Sequence, residues 1–428
     1  MKRWRTEGFS RRCVIAALAI LLSSAVGSSA NAESPHQDSS GFSPEKLGRV
    51  GDYIRNEVTT ARIPGAILLI QQHGRPVYFE SFGVRDVESR RPMTSDTIFR
   101  LYSMSKPITS VAAMMLIEDG KLSLSDPVAN YIPAFADVKV GIEKAGQTPP
   151  LAFAPVNRPI TIEDLLRHTS GLTYGFYGDG AVRKLYAQAD LFKSDMDNAG
   201  FAEQIAKLPL AEQPGTLWDY GHSTDVLGRV IEVVSRQSLF EFEKQRLLGP
   251  LGMPDTAFYV ADQARRPLIA EPMPDDRSIS PLAGIRDPML PRRWESGGAG
   301  MVGTLGDYAR FAQMLLNGGT FEGKRYLRPE TIALMTSDHI GPETGIARDD
   351  FYFPGTTSGF GLGFAVRTST PPNTRWPLGE FRWDGAAGTF FFIDPADDMF
   401  VVCMMQTPSQ RGRIQLALKT LIYGALGR

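Results

Sequence analysis

Two kinds of hydrophobic pattern alternate along the chain. Short runs rich in β-branched and aromatic residues lie near both ends, at residues 66–71, 76–82, 363–367, 389–393 and 399–405. Runs of this length and composition are typical of buried strands. A His-Gly pair separates the first two runs, and this pair predicts a β-hairpin.

The middle of the chain carries apolar residues at helical spacing instead. Residues 108–117 are almost continuously apolar and are followed by Asp119 and Gly120, which predicts a buried helix with a glycine stop. Residues 223–235 place apolar side chains three and four positions apart, as one face of an amphipathic helix requires. The two segments therefore predict two core helices.

Capping patterns predict further helices. Ser43, followed by proline, starts one, and Thr161 starts another that we expect to end near residues 170–171. Residues 413–423 form a last helix, while the proline-rich segment 267–291 predicts a long surface loop. Because strands at both ends flank a mostly helical middle, the pattern predicts an α+β fold with one sheet built from both chain ends.

The start of the chain has the layout of a secretory signal peptide. Residues 1–12 carry five basic side chains and one acidic one, residues 13–26 are apolar, and residues 30–32 read Ala-Asn-Ala. This predicts a signal peptide at 1–32 and a protein exported to the periplasm or secreted. Arg11-Arg12 is compatible with a twin-arginine route. The apolar run is shorter than the ~20 residues that span a bilayer, so we expect no membrane anchor after cleavage.

Composition excludes several classes of function. The chain has 428 residues, 43% of them hydrophobic, and a formal net charge of −1, which argues against nucleic acid as a partner. Its two cysteines cannot form a disulfide-rich scaffold, and Cys403 lies in an apolar run, which predicts a buried strand residue. No His-Glu-x-x-His, Cys-x-x-Cys or Walker motif occurs. We therefore predict neither a metal nor another cofactor.

The chemistry depends on a Ser-x-x-Lys pattern that occurs twice. Capping explains Ser43 and Lys46, whereas Ser103 and Lys106 stand at the start of the most apolar helix. Positions three apart share a helix face, and a helix N-terminus offers N–H groups to an oxyanion. If Lys106 is buried, its pKa falls and it can accept the serine proton. A capping serine beside a solvated lysine explains the motif alone equally well.

Two other segments fit a serine nucleophile. Tyr220 lies just before the helix at 223–235, where it could carry a proton to the leaving group; a lone tyrosine more often simply packs on the core. Residues 383–388, Trp-Asp-Gly-Ala-Ala-Gly, precede the run at 389–393. A backbone N–H in this segment could complete an oxyanion hole, although the composition also fits an ordinary turn.

Taken in order, these motifs resemble those of the serine β-lactamase/penicillin-binding superfamily. The nearest branches are class C-like β-lactamases and family VIII carboxylesterases. The stretches that carry the resemblance are Ser103-x-x-Lys106, Tyr220-x-His222, Trp383-x-Gly385, and residues 120–128, 165–172 and 297–301. The resemblance implies a β-lactamase/transpeptidase-like fold at 33–428, with an antiparallel sheet flanked by helices. It places the sheet subdomain at about 33–95 and 295–428, and an inserted, mostly helical subdomain at about 96–294.

The resemblance also implies roles for individual residues. Ser103 is expected to be the acylated nucleophile, Lys106 the base, and Tyr220 the acid and base of acylation and deacylation. The N–H groups of Ser103 and Ala386 would form the oxyanion hole. The same resemblance implies contact with the substrate for three residues, His222, Trp383 and Gly385.

Departures from the family pattern favour ester substrates. His222 stands where class C enzymes usually have Asn, and Trp383-Asp384-Gly385 replaces Lys-Thr-Gly. That lysine helps to hold the carboxylate of a lactam, whereas Trp at this position is similar to the Trp-Gly-Gly of family VIII esterases. We therefore expect hydrolysis of short-acyl esters with weak β-lactam turnover. Residues 174–177 contain three aromatic side chains that could line the acyl pocket or simply pack in a surface loop: Tyr174, Phe176 and Tyr177.

Other functions remain open at this point. A β-lactamase or D-alanyl-D-alanine peptidase of class C type shares the mechanism and would take a lactam or a peptide. An acyltransferase on the same scaffold would pass the acyl group to an alcohol or amine instead of water. A non-catalytic binding module would keep the scaffold without the chemistry. The expected partner is a small-molecule ester or lactam, and the sequence does not indicate an oligomeric state.

Overall fold

The computed structural model describes residues 41–143, 151–192, 196–280, 282, 287–348 and 351–427. The predicted signal peptide at 1–32 lies outside these residues. Within them, no helix combines the length and apolar character needed to cross a membrane.

The hydrophobic runs of the two chain ends meet in one sheet. Its eight strands are ordered β12-β13-β14-β15-β16-β1-β2-β3, with every neighbouring pair antiparallel. The remaining strands form short two-stranded ladders. In chain order the strands are β1 Gly65–Gln72, β2 Arg75–Asp86, β3 Arg91–Pro92, β4 Phe99–Arg100, β5 Lys139–Glu143, β6 Leu151–Pro155, β7 Leu217–Trp218, β8 Val302–Gly303, β9 Thr320–Phe321, β10 Lys324–Arg325, β11 Ala347–Arg348, β12 Ser358–Phe360, β13 Ala365–Arg367, β14 Phe381–Asp384, β15 Phe390–Asp394 and β16 Met399–Met405.

Helices cover the sheet and fill the middle of the chain. The helices α7 and α8 are joined without a break by a π-helical turn at Lys244–Leu248. In chain order the helices are α1 Pro44–Thr59, α2 Ser105–Glu118, α3 Ile162–Leu166, α4 Ala181–Ala189, α5 Asn198–Ile205, α6 Ser223–Ser235, α7 Leu239–Glu243, α8 Gly249–Leu251, α9 Leu305–Leu316, α10 Pro329–Met335 and α11 Arg411–Ala425.

Alternation along the strands divides the interior into two cores. In β1, Ile67 and Leu69 face a large core that contains α2, α6 and α9. Leu68 and Ile70 face the opposite way, into a core closed by α1 and α11. Successive strand residues point to opposite faces, so a continuously apolar strand is what a sheet buried on both sides requires. Helices therefore cover the sheet on both faces.

Most predicted elements are confirmed, with two differences that bear on the site. The hairpin, the helix at 223–235 and the buried strand position of Cys403 are as predicted. The helix that starts at Thr161 ends at Leu166, earlier than expected. Strand β14 was not predicted, because two of its four residues are polar and only half-buried.

Candidate active site

Ser103 lies where a tight turn runs into the most deeply buried helix. The turn is a 3₁₀ segment, Tyr102–Met104, followed directly by α2. Tyr102 has a φ of +45°, a left-handed conformation that costs energy for a bulky residue. The turn thus places the Ser103 side chain at the helix N-terminus, facing a cavity.

Lys106 lies one helical turn further along, inside the protein. Its Nζ is 3.5 Å from Ser103 Oγ and donates to the carbonyl oxygen of Gly298 at 2.8 Å and to the Tyr174 hydroxyl at 3.2 Å. Burial lowers the pKa of Lys106 to about 7, although the negative charges of Asp225 and Asp384 act in the opposite direction. A large fraction of the amine is therefore neutral near pH 7 and can accept a proton.

Tyr220 is the third member of this group. Its ring centroid lies 4.5 Å from Lys106 Nζ, and the rings of His168 and Trp383 pack on it at 4.8 and 5.4 Å. Burial raises the pKa of Tyr220 well above 10, and an interaction with the Ser103 side chain partly opposes this rise. The phenol therefore stays protonated near neutral pH and can donate to a leaving alkoxide.

The turn after β14 packs beside the turn that carries Ser103, and both turns line the same cavity. Two backbone hydrogen bonds hold this turn. The N–H of Gly385 donates to the carbonyl oxygen of Thr389 at 2.7 Å, and the N–H of Thr407, which follows β16, donates to the carbonyl oxygen of Ala387 at 2.6 Å. Within the described residues, no turn or loop carbonyl accepts the N–H of Ser103 or Ala386. Both residues line the same cavity of about 420 Å³.

The three residues expected to contact substrate are buried and do not line the cavity of Ser103. His222 is 2% exposed, and its ring packs edge-on against the ring of Tyr174 at 4.5 Å. Trp383 is 4% exposed and packs on Tyr220. A Cβ on Gly385 would approach the Leu101 carbonyl oxygen to 2.3 Å. The structure thus places these residues where they shape the wall.

Aromatic side chains of one loop line part of the cavity, and a mixture of apolar and polar side chains lines another part. Tyr174, Phe176 and Tyr177 lie together in the loop, with the first two rings stacked at 4.8 Å. The other part is built from two further segments and the start of α11, namely Ser278, Ile279, Leu282, Phe353, Pro408, Ser409 and Arg411. The structure therefore brings the predicted aromatic group to the cavity of Ser103.

Asp225 is a functional residue that the sequence analysis missed. One of its carboxylate oxygens accepts hydrogen bonds from Ser296 Oγ at 2.6 Å and from the N–H of Gly298 at 3.1 Å, and the other lies 3.0 Å from His222 Nδ1. Burial alone would raise the pKa of Asp225, but these partners and Lys106 hold it below its usual value. Asp225 therefore fixes the turn at 297–299, in which the carbonyl oxygen of Gly298 accepts the hydrogen bond from Lys106.

The signal for this contact was present but incomplete. Residues 297–301 belong to one of the stretches that carry the family resemblance, and Asp225 follows His222 by three positions, so both lie near the first turn of α6. Nothing in the sequence shows that the two segments touch. Within the described residues, no group of three or more His, Cys, Asp and Glu side chains could hold a metal ion.

Comparisons with known proteins agree with this geometry. A family model described as Beta-lactamase matches residues 50–423. Protein Rv1367c of Mycobacterium tuberculosis is 35% identical over 360 residues, which cover 82% of this chain and 88% of that protein. Esterase EstB of Burkholderia gladioli is 29% identical over 386 residues, 85% of this chain and 91% of EstB.

A solved structure extends the similarity to the fold. EstCE1, described as a hydrolase with promiscuous acyltransferase activity, superposes with a TM-score of 0.73 at 28% identity and covers 89% of this chain and 99% of its own. The resemblance inferred from the motifs and the fold it implied are both confirmed. The chain therefore belongs to the β-lactamase family and is a serine hydrolase with a β-lactamase/transpeptidase-like fold.

Proposed function

We propose that the protein hydrolyses short-acyl carboxylic esters through an acyl-serine intermediate on Ser103. The observation that carries the proposal is the buried amine of Lys106, 3.5 Å from Ser103 Oγ and with its pKa lowered to about 7. An amine in this state can remove the serine proton at neutral pH without a histidine.

Acylation uses the three side chains in sequence. Ser103 Oγ attacks the ester carbonyl carbon while its proton passes to the neutral Lys106 amine. The N–H groups of Ser103 and Ala386 stabilise the resulting oxyanion, and each such donor contributes about 3 kcal/mol to lowering a barrier of this kind. The carbon–oxygen bond to the alcohol then breaks, and Tyr220 supplies the proton that the leaving alkoxide takes up.

Deacylation reverses the proton path. A water molecule attacks the acyl carbonyl carbon, and its proton passes by way of Tyr220 and Lys106 to Ser103 Oγ, which leaves as the free hydroxyl. The two N–H groups again stabilise the oxyanion. The products are a carboxylic acid and an alcohol, and the residues return to their starting protonation states.

The aromatic group in the cavity supports a short acyl chain. The stacked rings of Tyr174 and Phe176, with Tyr177 beside them, occupy the loop side of the cavity. Closely packed aromatic rings leave limited room for apolar chains that must fit between them. The name of EstB as an esterase agrees with this class of substrate.

The side chain of Asp384 is consistent with a preference for ester substrates over lactam substrates. It lines the cavity of Ser103 at the position where lactamases of this family carry a threonine after their lysine. Burial raises the pKa of Asp384, while Arg411 and Gln415 act to lower it. A carboxylate at this place is unfavourable for a substrate whose own carboxylate lies next to the scissile bond.

Acyl transfer is a second candidate function, favoured by the description of EstCE1 as a hydrolase with promiscuous acyltransferase activity. The cavity of about 420 Å³ also has room for a small alcohol beside an acyl-serine. An alcohol would attack the acyl carbon in place of water, and the same proton path would serve. Product analysis with and without an added alcohol separates the two activities.

Covalent labelling combined with a substrate panel tests the proposed function. We expect a fluorophosphonate probe to label the purified protein and p-nitrophenyl butyrate to be hydrolysed faster than a chromogenic cephalosporin. Ser103→Ala should abolish labelling and lower ester turnover by at least about a thousandfold, because the nucleophile is lost.

Ser43→Ala is the matched control, since Ser43 begins the other Ser-x-x-Lys pattern and caps α1 on the surface. This variant should keep both labelling and turnover. Labelling that persists in Ser103→Ala would show that Ser103 is not the nucleophile. Cephalosporin turnover above ester turnover would replace the esterase assignment with a lactamase.

A further inference from the structure

A second groove adjoins the cavity of Ser103. It has a volume of about 340 Å³ and lies between α11 and the face of β13–β15 that this helix leaves partly open. Phe353, Asp384 and Arg411 belong to the walls of both spaces. The groove is therefore a continuation of the cavity at these three residues.

Two rows of side chains form the walls of this groove. Alternate residues of β14 point to one face about 7 Å apart, and every fourth residue of α11 repeats after about 6 Å. The spacing of side chains along the strand is therefore similar to the spacing along the helix, and side chains at both ends of the two rows interact. Asp384 interacts with Arg411 and Gln415, and Glu380 interacts with Lys419. The rows are Asp384, Arg382 and Glu380 on the strand side, and Arg411, Gln415 and Lys419 on the helix.

Basic side chains outnumber acidic side chains around the groove. Four basic side chains line it, against Asp384 in its wall and Glu380 beside it. Glu380 already bonds Lys419 and accepts from the Tyr423 hydroxyl at 2.9 Å. The basic side chains are Arg367, Arg382, Arg411 and Lys419.

Arg367 has unused hydrogen-bonding capacity. It is 3% exposed, and its Nη1 donates to Thr357 Oγ1 at 2.9 Å. Its guanidinium carbon Cζ lies 4.9 Å from the centroid of the Trp376 ring. Its Nε atom, also buried, has no hydrogen-bond partner among the described residues. A buried donor without a partner costs folding free energy, and an anion in the groove would relieve that cost.

We propose that this groove, which we call the arginine groove, holds the alcohol side of the ester and selects alcohols that carry a carboxylate. The inference rests on the proposed function, which places the acyl side against Tyr174, Phe176 and Tyr177. The alcohol side then extends past Asp384 and Arg411. Arg382 stands about 7 Å further along the strand, which requires a spacer between the ester and the carboxylate.

The groove also has apolar surface for that spacer. Phe353, Trp376 and Leu416 contribute to its walls. A methylene chain can pack on these side chains while the carboxylate reaches the guanidinium groups beyond them. The reaction itself is unchanged: the ester bond breaks as before, and the alcohol leaves as an ω-hydroxy carboxylate after taking up the proton from Tyr220.

A pair of isosteric esters tests this proposal. The butyrate ester of ω-hydroxyhexanoic acid carries the carboxylate, and the butyrate ester of ω-hydroxyhexanamide replaces it with a neutral amide. We expect kcat/KM to be about tenfold higher for the carboxylate ester, as for one charge-assisted hydrogen bond. The preference should shrink as salt is added, because the attraction is partly screened.

Arg382→Met should remove most of this preference, and Arg382→Lys should keep part of it because the charge remains. Lys324→Met is the matched control, since Lys324 is an exposed cation outside the groove; it should keep the preference. Thermal unfolding of each variant identifies loss of the fold, and the salt dependence of the unmodified protein tests the proposal without any variant. Equal turnover of the two esters by the unmodified protein would overturn the groove assignment.

A binding measurement separates failure of the groove from failure of the proposed function. Calorimetry on Ser103→Ala with N-butyryl-aminohexanoate and its neutral amide compares binding without catalysis. Tighter binding of the carboxylate supports the groove even if no ester is hydrolysed, an outcome that would contradict the esterase proposal alone. Equal binding of the two compounds would overturn the groove while leaving p-nitrophenyl butyrate hydrolysis intact.

Discussion

Lys106 must be buried to act as a base and hydrogen-bonded to tolerate burial. The residue is 1% exposed, and its amine still has two close acceptors, the Gly298 carbonyl and the Tyr174 hydroxyl. Because only the neutral amine accepts the proton of Ser103, activity should increase as Lys106 loses its proton. We expect kcat/KM for p-nitrophenyl butyrate to rise with pH along a limb centred near pH 7 and then level off, as measured in a constant-ionic-strength buffer series.

The variant Asp225→Asn should shift this limb of the pH profile in a defined direction. The negative charge of Asp225 raises the pKa of Lys106, so its removal should lower that pKa and move the limb to lower pH. The exposed carboxylate of Asp52 supplies the control variant Asp52→Asn, which should leave the limb in place. A limb that stays fixed or moves to higher pH in Asp225→Asn would contradict the assignment of Lys106 as the base.

The nucleophile and its base could be predicted because they are neighbours in the sequence. Ser103 and Lys106 share one turn of chain, so their spacing alone indicates contact. Tyr174 and Gly298 lie 68 and 192 positions from Lys106, and no local pattern connects them. The partners of the amine therefore emerge only from the fold.

The turn after β14 depends on a close approach between two segments of backbone. A Cβ at Gly385 would lie 2.3 Å from both the Leu101 carbonyl oxygen and Thr389 Oγ1. Gly385→Ala should therefore lower the free energy of unfolding by about 1–3 kcal/mol, as measured by urea denaturation. Because the displaced turn carries Ala386, fluorophosphonate labelling should also slow.

Gly48→Ala is the matched control for this element. Gly48 lies inside α1 with open space around its Cα, so alanine there should raise the free energy of unfolding by about 0.5–1 kcal/mol. Unchanged stability and labelling rate in Gly385→Ala would show that the turn does not need the close contact with Leu101.

Elements with a long, uniform pattern could be predicted, and short mixed ones could not. The helix at Ser223–Ser235 shows its apolar face over three turns, so its bounds agree with the prediction. Strand β14 has four residues, and Arg382 and Asp384 point towards the arginine groove. These two polar side chains interrupt the hydrophobic pattern by which a buried strand is predicted. Only the position of α11 explains why polar side chains lie on this face of the strand.

At the scale of the molecule, the two ends of the described chain support each other. Helices α1 and α11 pack together on one face of the sheet. Glu57 of α1 is 1% exposed and bonds Arg413 of α11 as well as Arg62. The hydrogen bond from Arg413 is the largest cause that lowers the pKa of Glu57, with burial acting in the opposite direction. This carboxylate therefore links the first helix to the last.

Glu57→Gln should lower the free energy of unfolding at pH 7 by about 1–3 kcal/mol, because a charged acceptor of two arginines becomes neutral. A carboxyl whose pKa is lowered by folding stabilises the protein above its unfolded pKa and loses that effect as the pH falls. The stability difference from the unmodified protein should therefore shrink below about pH 4.5. Glu45→Gln, on the exposed side of α1, is the control and should change the free energy of unfolding by less than about 0.5 kcal/mol. A stability difference between Glu57→Gln and the unmodified protein that stays constant with pH would contradict the ion-pair explanation.

The sheet formed by both chain ends also determines when folding can finish. Strand β1 has two neighbours, β2 and β16, and Ala66 lies opposite Met405. The hairpin of β1 and β2 can form early, but the ladder at the centre of the sheet must wait until β16 has been synthesised. Closing so long a loop is entropically costly and slow. During synthesis the apolar edge of β1 therefore stays open, and the nascent chain exposes a strand that other chains can pair with until its own C-terminal part arrives.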